Sequence, residues 1–252
     1  MKYFFVTEMI ALTDIHSHII PDIDDGSSSL SESAVMLRLA ADSGTKNIVA
    51  TPHYYNAFQC TRRLSKAMVC EQYKKLKEYI AANNIDINLY LGAETFAVNN
   101  LSELIKNNEI ISLNNSRYVL IEFDFNDNFE RVMYCTMLLK NGGYVPVIAH
   151  PERYVFLHRD PSLTYWFLEN NCLLQINKGS VLGRYGEEER AFCRWLLDNR
   201  FVFAAASDAH SPFRRTTDMS EAYEWVYIHY GKKYADDIFD NNPIKLLNNI
   251  SI

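Results

Sequence analysis

Thiol chemistry is what this sequence equips least. No Cys-x-x-Cys pair occurs, and the five cysteines (Cys60, Cys70, Cys135, Cys172 and Cys193) are odd in number. A disulfide framework or a thiolate zinc site is not expected, and a reducing, cytoplasmic setting fits best. None of the five has an arginine six positions later, so a cysteinyl-phosphate route is excluded. A run of about 18 apolar residues is also missing, so no membrane insertion is expected. The segment from Met1 to Leu12 is apolar but carries Glu8 and lacks a basic leader and a small-residue cleavage site; it does not read as a signal peptide. There is no excess of positive charge: the net charge is −6 and the pI about 5.7. That argues against nucleic acid as a partner, yet not against an anionic substrate, because a local metal cluster outweighs the overall charge. Low-complexity segments, linker-like composition shifts and repeats are absent too, so residues 1–252 read as a single domain.

What is present is a core and a rhythm. Hydrophobic residues make up 48% of the chain, enough for a sizeable interior. Short apolar runs alternate with helical stretches. The strands are expected at Leu12–His16, Asn47–Thr51, Ile87–Gly92, Tyr118–Glu122, Val145–Ala149, Leu173–Ile176 and Val202–Ser207. The helices between them begin at Ser29, where Glu32 completes a capping box and Gly44 is the stop, and then span Leu64–Asn83, Leu101–Asn107, Glu130–Asn141, Pro161–Asn170, Glu187–Asn199 and Ser220–Tyr230, with turns around Pro243. Pro146 is unusual for a central strand. Seven strand–helix alternations imply a parallel α/β sheet buried under helices, closed as a barrel in preference to an open sheet.

Chemistry-bearing residues follow the strands. In order these are His16-Ser17-His18, Thr51-Pro52-His53, Gly92-Ala93-Glu94, Ile121-Glu122, His150-Pro151-Glu152-Arg153 and Ser207-Asp208-Ala209-His210. Six of seven strands thus place a His, Asp or Glu at the carboxyl edge, where barrels hold their active sites. A lone histidine is more often a satisfied core residue, but nothing structural requires ligand types at successive strand ends. A cluster of imidazoles and carboxylates without thiolate suits Mn, Fe or Zn, and its size implies two or three divalent ions.

These segments, together with Pro21-Asp22-Ile23-Asp24-Asp25-Gly26, His150-Pro151-Glu152-Arg153-Tyr154 and Gln175-Ile176-Asn177, closely resemble the PHP (polymerase and histidinol phosphatase) superfamily. Within it they resemble the manganese-dependent tyrosine-protein phosphatases of bacterial capsule and exopolysaccharide operons, from about Asp14 to Pro243. The resemblance implies a distorted seven-stranded (β/α)7 TIM-like barrel, the PHP fold, with three ions, Mn first. His16, His18, Glu94 and Asp208 would hold one. Glu94, bridging, would hold a second with Glu122 and His150. Asp25, His53 and His210 would hold the third. Arg153 and Arg215 would grip the phosphate, a role that suits guanidinium geometry. The implied reaction is in-line attack of a metal-bound hydroxide on phosphotyrosine, with His210 or Asp208 moving a proton. The implied partner is the phosphorylated, tyrosine-rich tail of a membrane-associated autokinase. The oligomeric state stays open.

One departure concerns the substrate's flank. Relatives carry basic residues after the equivalent of His53, whereas Tyr54-Tyr55 follow here; Arg62 and Arg63 are either substitutes or solvated loop charges. His158 and His229 match no motif and read as structural or surface residues. Competing readings are a phosphatase of a small metabolite such as histidinol phosphate or a sugar phosphate, an amidohydrolase, and a non-catalytic binding protein.

Overall fold

The computed structural model describes residues 11–54 and 64–252; Tyr55, Cys60, Arg62, Arg63 and the leading segment lie outside the described residues. Among the described residues, eight parallel strands form two sheets. The first orders β1 (Leu12–Ser17), β2 (Thr45–Ala50) and β3 (Asn88–Leu91); the second orders β4 (Glu94–Phe96), β5 (Tyr118–Glu122), β6 (Val145–Ala149), β7 (Leu173–Asn177) and β8 (Ala204–Ala206). Helices connect them: α1 (Leu30–Asp42), α2 (Lys66–Ala82), α3 (Leu101–Lys106), α4 (Phe129–Asn141), α5 (Val155–Arg159), α6 (Thr164–Glu169), α7 (Lys178–Val181) and α8 (Glu187–Asp198). The chain then runs through α9 (Ser220–Tyr230), α10 (Lys232–Asp236) and α11 (Asn242–Leu247).

Local chemistry accounts for the element ends. The Ser29 hydroxyl accepts the Glu32 amide at 3.2 Å and starts α1, while the Glu32 carboxylate turns back to the Ser28 amide at 2.7 Å, one residue earlier than a standard capping box. Asn128 caps α4 through the Arg131 amide at 2.8 Å. Gly44 and Gly143, both at φ 93°, carry the chain out of α1 and α4 in a conformation that costs other residues.

Strands alternate between two buried faces, as a parallel sheet requires. Ile15, Val49, Leu120, Val147, Ala149, Ala204 and Ala206 meet in one cluster, closed at one side by Leu246 and Leu247 of α11. Their sequence neighbours Ile48, Ala50, Val119, Ile121, Ile148 and Ala205 belong to the larger core shared with the helices.

A continuous seven-stranded ladder is not what the hydrogen bonding shows. The expected third strand is found as β3, and an unexpected short strand, β4, follows it in the other sheet across Gly92-Ala93: the Gly92 amide still donates to Ala50 at 2.9 Å, but the Glu94 amide turns to the Pro52 carbonyl at 3.2 Å. A side chain at Gly92 would meet Leu113 at 3.0 Å and Val49 at 3.2 Å, so the crossing point is tight. At the two seams the sheets touch through single bridges, Ser17 to Ala209 and His53 to Glu94. The His18 amide donates to Ala209 at 2.8 Å, the Asp208 amide to His16 at 2.8 Å and the Tyr54 amide to Glu94 at 3.1 Å. Smaller corrections are a 3-10 turn over Pro161–Leu163 ahead of α6, and a last strand shortened to three residues. Pro146 does sit in the central strand β6, opposite Val119 of β5.

Candidate metal centre

Both seams lie at the carboxyl edge, and the ligand-type residues gather there. His16 is the penultimate residue of β1, and the chain leaves β1 through His18. The following loop folds back so closely that a side chain on Gly26 would lie 2.1 Å from the His18 carbonyl oxygen. Only glycine fits, and the Ser27 amide then bonds that carbonyl at 3.0 Å, placing Asp24 and Asp25 beside the imidazoles. His150 (φ 36°) and Asp208 (φ 49°) both adopt the left-handed backbone region. Such strain costs about 1–3 kcal/mol per residue and concentrates at functional sites.

Three overlapping groups form: His16, His18, Glu94 and Asp208; His18, Asp25, His53 and His210; and His53, Glu94 and Glu122. The first matches the set expected from the resemblance. The others redistribute it, with His18 also facing the Asp25 group and His53 also facing Glu122. Each pair of groups shares one residue: His18 the first and second, His53 the second and third, and the first and third share Glu94. Its Oε2 lies 3.1 Å from Nε2 of both His16 and His18 and 3.2 Å from His53 Nδ1, while its Oε1 lies 2.8 Å from His150 Nε2. His150 reaches Glu122 only at 3.9 Å.

The protonation pattern tests whether these donors suit a cation. His16 Nδ1 donates to Gln175 Oε1 at 2.9 Å, and His18 Nδ1 donates to Asp24 Oδ2 at 2.7 Å. In their neutral forms both imidazoles would then turn Nε2 lone pairs inward, the two nitrogens being only 3.3 Å apart. Glu94 and Asp208 oxygens face the same point, the latter at 3.5 and 3.6 Å from the two nitrogens. Four acceptors converging without a donor fit a metal ion, and the hydrogen bonds behind the imidazoles are those that orient metal-bound histidines.

Without an ion, protons take part of that role. Burial opposes charge on His16, but Glu94 and Asp208 outweigh it and hold its pKa up to about 9. Burial likewise opposes charge on His53, yet Glu94 and Glu122 raise it to about 10. Glu94 and Asp208 are buried, which favours their neutral forms, but the neighbouring imidazoles pull both well below the usual carboxylate range. Asp25 is lowered chiefly by its hydrogen bond with His210. His210 itself is lowered by burial and by the neighbouring His18.

The guanidinium groups differ in setting. Arg215 lies 2.5 Å from Asp208 Oδ2, and its Nε donates to the Asp208 carbonyl at 3.1 Å. Arg153 lies over the Phe125 ring at 4.1 Å and near the Tyr185 ring at 5.3 Å, with no carboxylate partner among the described residues. Together with Phe96, Phe123, Asn126 and most of the ligand-type residues, both arginines line a cleft of about 270 Å³. None of the described cysteines lines it, and neither do His158 and His229. His158 bonds the Glu152 carbonyl at 2.7 Å, and His229 stacks on Trp225. Tyr54 is buried in the core, so it offers nothing to a substrate's flank.

Several contributors escaped residue-by-residue reading. Asp24 looks in the sequence like one more acidic residue of its loop, yet besides bonding His18 it accepts the His53 amide at 3.0 Å and the Gly26 amide at 3.0 Å. Gln175 passes from His16 to Asn177 at 2.9 Å, and Asn177 reaches Asp208 at 2.6 Å. Glu152, fully buried, accepts from the Asn177 amide and the Ser180 hydroxyl at 2.8 and 2.7 Å. The available signal was a polar Gln-x-Asn pair in an otherwise apolar strand, which points both side chains to one face.

Fold and donor set together define a class: parallel α/β proteins whose chemistry rests on an imidazole–carboxylate centre at the sheet's carboxyl edge. Within that class the chain belongs to the CpsB/CapC family of capsular polysaccharide synthesis, which matches residues 12–248, and with it to the PHP superfamily. It is 31% identical over 239 residues to the tyrosine-protein phosphatase YwqE of Bacillus subtilis (strain 168), covering 94% of this chain and 92% of that one. It is 30% identical over 241 residues to the tyrosine-protein phosphatase CpsB of Streptococcus pneumoniae, covering 94% and 98%. A crystal structure from the pair YwqE and CpsB, described as metal-dependent tyrosine phosphatases, superposes with a TM-score of 0.88 at 31% identity and covers 96% of both chains.

Proposed function

We propose that this protein is a metal-dependent protein-tyrosine phosphatase whose residues 1–252 form one catalytic unit, the two sheets being arcs of a single distorted barrel. The observation that carries the reading is the convergence of His16, His18, Glu94 and Asp208 on one point, with Nδ1 of both imidazoles engaged behind it. Two or three divalent ions fit the three overlapping groups, with Mn preferred and Fe or Zn as alternatives. His16, His18, Asp25, His53, Glu94, Glu122, His150, Asp208 and His210 would hold them.

When bound, such ions supply Lewis acidity to a phosphoryl oxygen and an acidified water. The remaining work belongs to the chain. Arg153, held by Phe125 and without a carboxylate partner among the described residues, would turn its N–H groups to the non-bridging oxygens of a phosphate. Arg215 adds a second guanidinium from the loop after Asp208. His210 or Asp208 would hold or move a proton at the leaving oxygen. Phe96, Phe123 and Phe125 give the cleft an aromatic wall beside the two cations, which favours phosphotyrosine over a small polar metabolite. The physiological partner in this reading is the phosphorylated tyrosine-rich tail of a membrane-associated autokinase, met in the cytoplasm. Among the described residues no helix is long and apolar enough to cross a membrane.

A single comparison tests the proposal. The purified protein is stripped by a chelator, reloaded with Mn, and assayed on a phosphotyrosine peptide beside histidinol phosphate and sugar phosphates. Loss on stripping, recovery with Mn and preference for the peptide are expected. Preference for a metabolite would transfer the site to the small-substrate reading.

A further inference from the structure

A second cavity, of about 370 Å³, opens beside the cleft. Asn126 borders both. The connection continues behind it: the Phe125 ring lies on Arg153 in the cleft, while the Phe125 carbonyl accepts the amide of Val155, which lines the second cavity, at 2.9 Å. The segments 125–129 and 153–156 therefore form one surface running out of the catalytic cleft.

The lining has a defined chemistry. Phe129 and Phe156 present rings 5.6 Å apart, with Val155 and Leu163 as further apolar walls. Phe129 is also set edge-on against Trp166, at 86°. The two acidic side chains at the rim are already engaged. Asp127 pairs with Arg131, and Asp160 accepts the Ser162 amide at 3.1 Å and its hydroxyl at 2.6 Å. Arg159 is exposed at the same rim and has no ion-pair partner among the described residues. Half-buried aromatic rings around an open cavity, with the Arg159 guanidinium at the rim, favour an aromatic side chain. Ring edges and faces pack with it, and the cation sits over its π face.

We propose that this cavity is a subsite for an aromatic residue flanking the phosphotyrosine in the same substrate chain, so that the enzyme reads a protein sequence as well as a phosphate. The inference rests on the phosphatase reading above and adds the substrate's flank to it.

The Mn-loaded protein is assayed on p-nitrophenyl phosphate, on a Gly/Ser phosphotyrosine peptide, and on a series in which one Trp moves along that peptide. One Trp position is expected to raise kcat/KM about ten-fold over the Trp-free peptide. Leu163→Gln and Arg159→Ala, both outside the catalytic machinery, should each reduce that gain while leaving p-nitrophenyl phosphate and the Trp-free peptide at wild-type rates. Equal turnover at every Trp position, or a preference that survives in both variants, overturns the subsite alone. A larger gain from Glu than from Trp at the favoured position overturns the aromatic assignment in favour of an acidic flank. Turnover of none of these substrates overturns the phosphatase reading and the subsite with it.

Discussion

The three-stranded and five-stranded sheets bring different chemistry to one cleft. The smaller sheet and its loops supply His16, His18 and His53 together with Asp24 and Asp25. The larger supplies the buried carboxylates Glu94, Glu122 and Asp208, the imidazoles His150 and His210, and both guanidiniums. Neither sheet builds the centre alone. It lies where the ladder is interrupted and the sheets meet through single bridges at Ser17–Ala209 and His53–Glu94. Strand ends freed from a continuous ladder can turn their side chains toward a shared point. Glu94, the first residue of β4, is where the halves are tied, since it contacts His16, His18, His53 and His150.

Breaking that tie gives the largest effect. Glu94→Gln removes the charge that faces four imidazoles, and kcat/KM on a phosphotyrosine peptide should fall by about three orders of magnitude or more, on the order of 4 kcal/mol, with loss of bound metal. Retained metal and turnover would show that the two sheets do not share their ligands. Arg153→Lys tests the larger sheet's own contribution. The charge stays and the planar fork goes, so kcat/KM should drop about 100-fold with metal content unchanged.

Asp24→Asn tests the smaller sheet. It keeps the shape but weakens the hold on His18 Nδ1, and metal affinity measured by calorimetry should fall about 10- to 100-fold while the fold survives. The pH response sharpens the same comparison. His16 and His53 have pKa values held up to about 9 and about 10 without metal, above the unperturbed value of about 6.5. Their contribution to the metal-free fold is complete below about pH 6.5 and is lost as pH rises through those values. An ion must displace the same protons, so metal should bind at least about ten-fold more tightly at pH 8.5 than at 6.5. A flat profile would mean that these imidazoles are not ligands. The smallest effect is expected for Cys→Ser at all five cysteines: turnover should remain near wild type in a folded, metal-loaded variant, and its loss would revive a thiol mechanism.

Much of this was legible in the chain. The alternation of apolar runs and helical stretches announced a parallel α/β fold, and the ligand types recurring after strands announced a centre at the carboxyl edge. Both signals are local and repeat. Less legible was the break at Gly92-Ala93, because a strand that changes sheets reads the same as one that ends. The outer contacts were hidden for another reason. Gln175 meets His16 across 159 residues, and nothing near either residue in the chain indicates the pairing. Asp24 shows the opposite case: it is close in sequence to His18, yet adjacent Asp22, Asp24 and Asp25 look alike until Gly26 fixes the loop against the His18 backbone.

The central claim is that side chains from both sheets grip the same cations. Anomalous diffraction from crystals of the Mn-loaded protein tests it most directly. Peaks within coordination distance of both His16 or His18 and Glu94 or Asp208 are expected, with a neighbouring peak at Asp25, His53 and His210. Ions bound to one sheet only, or an empty centre at saturating Mn, would contradict the account.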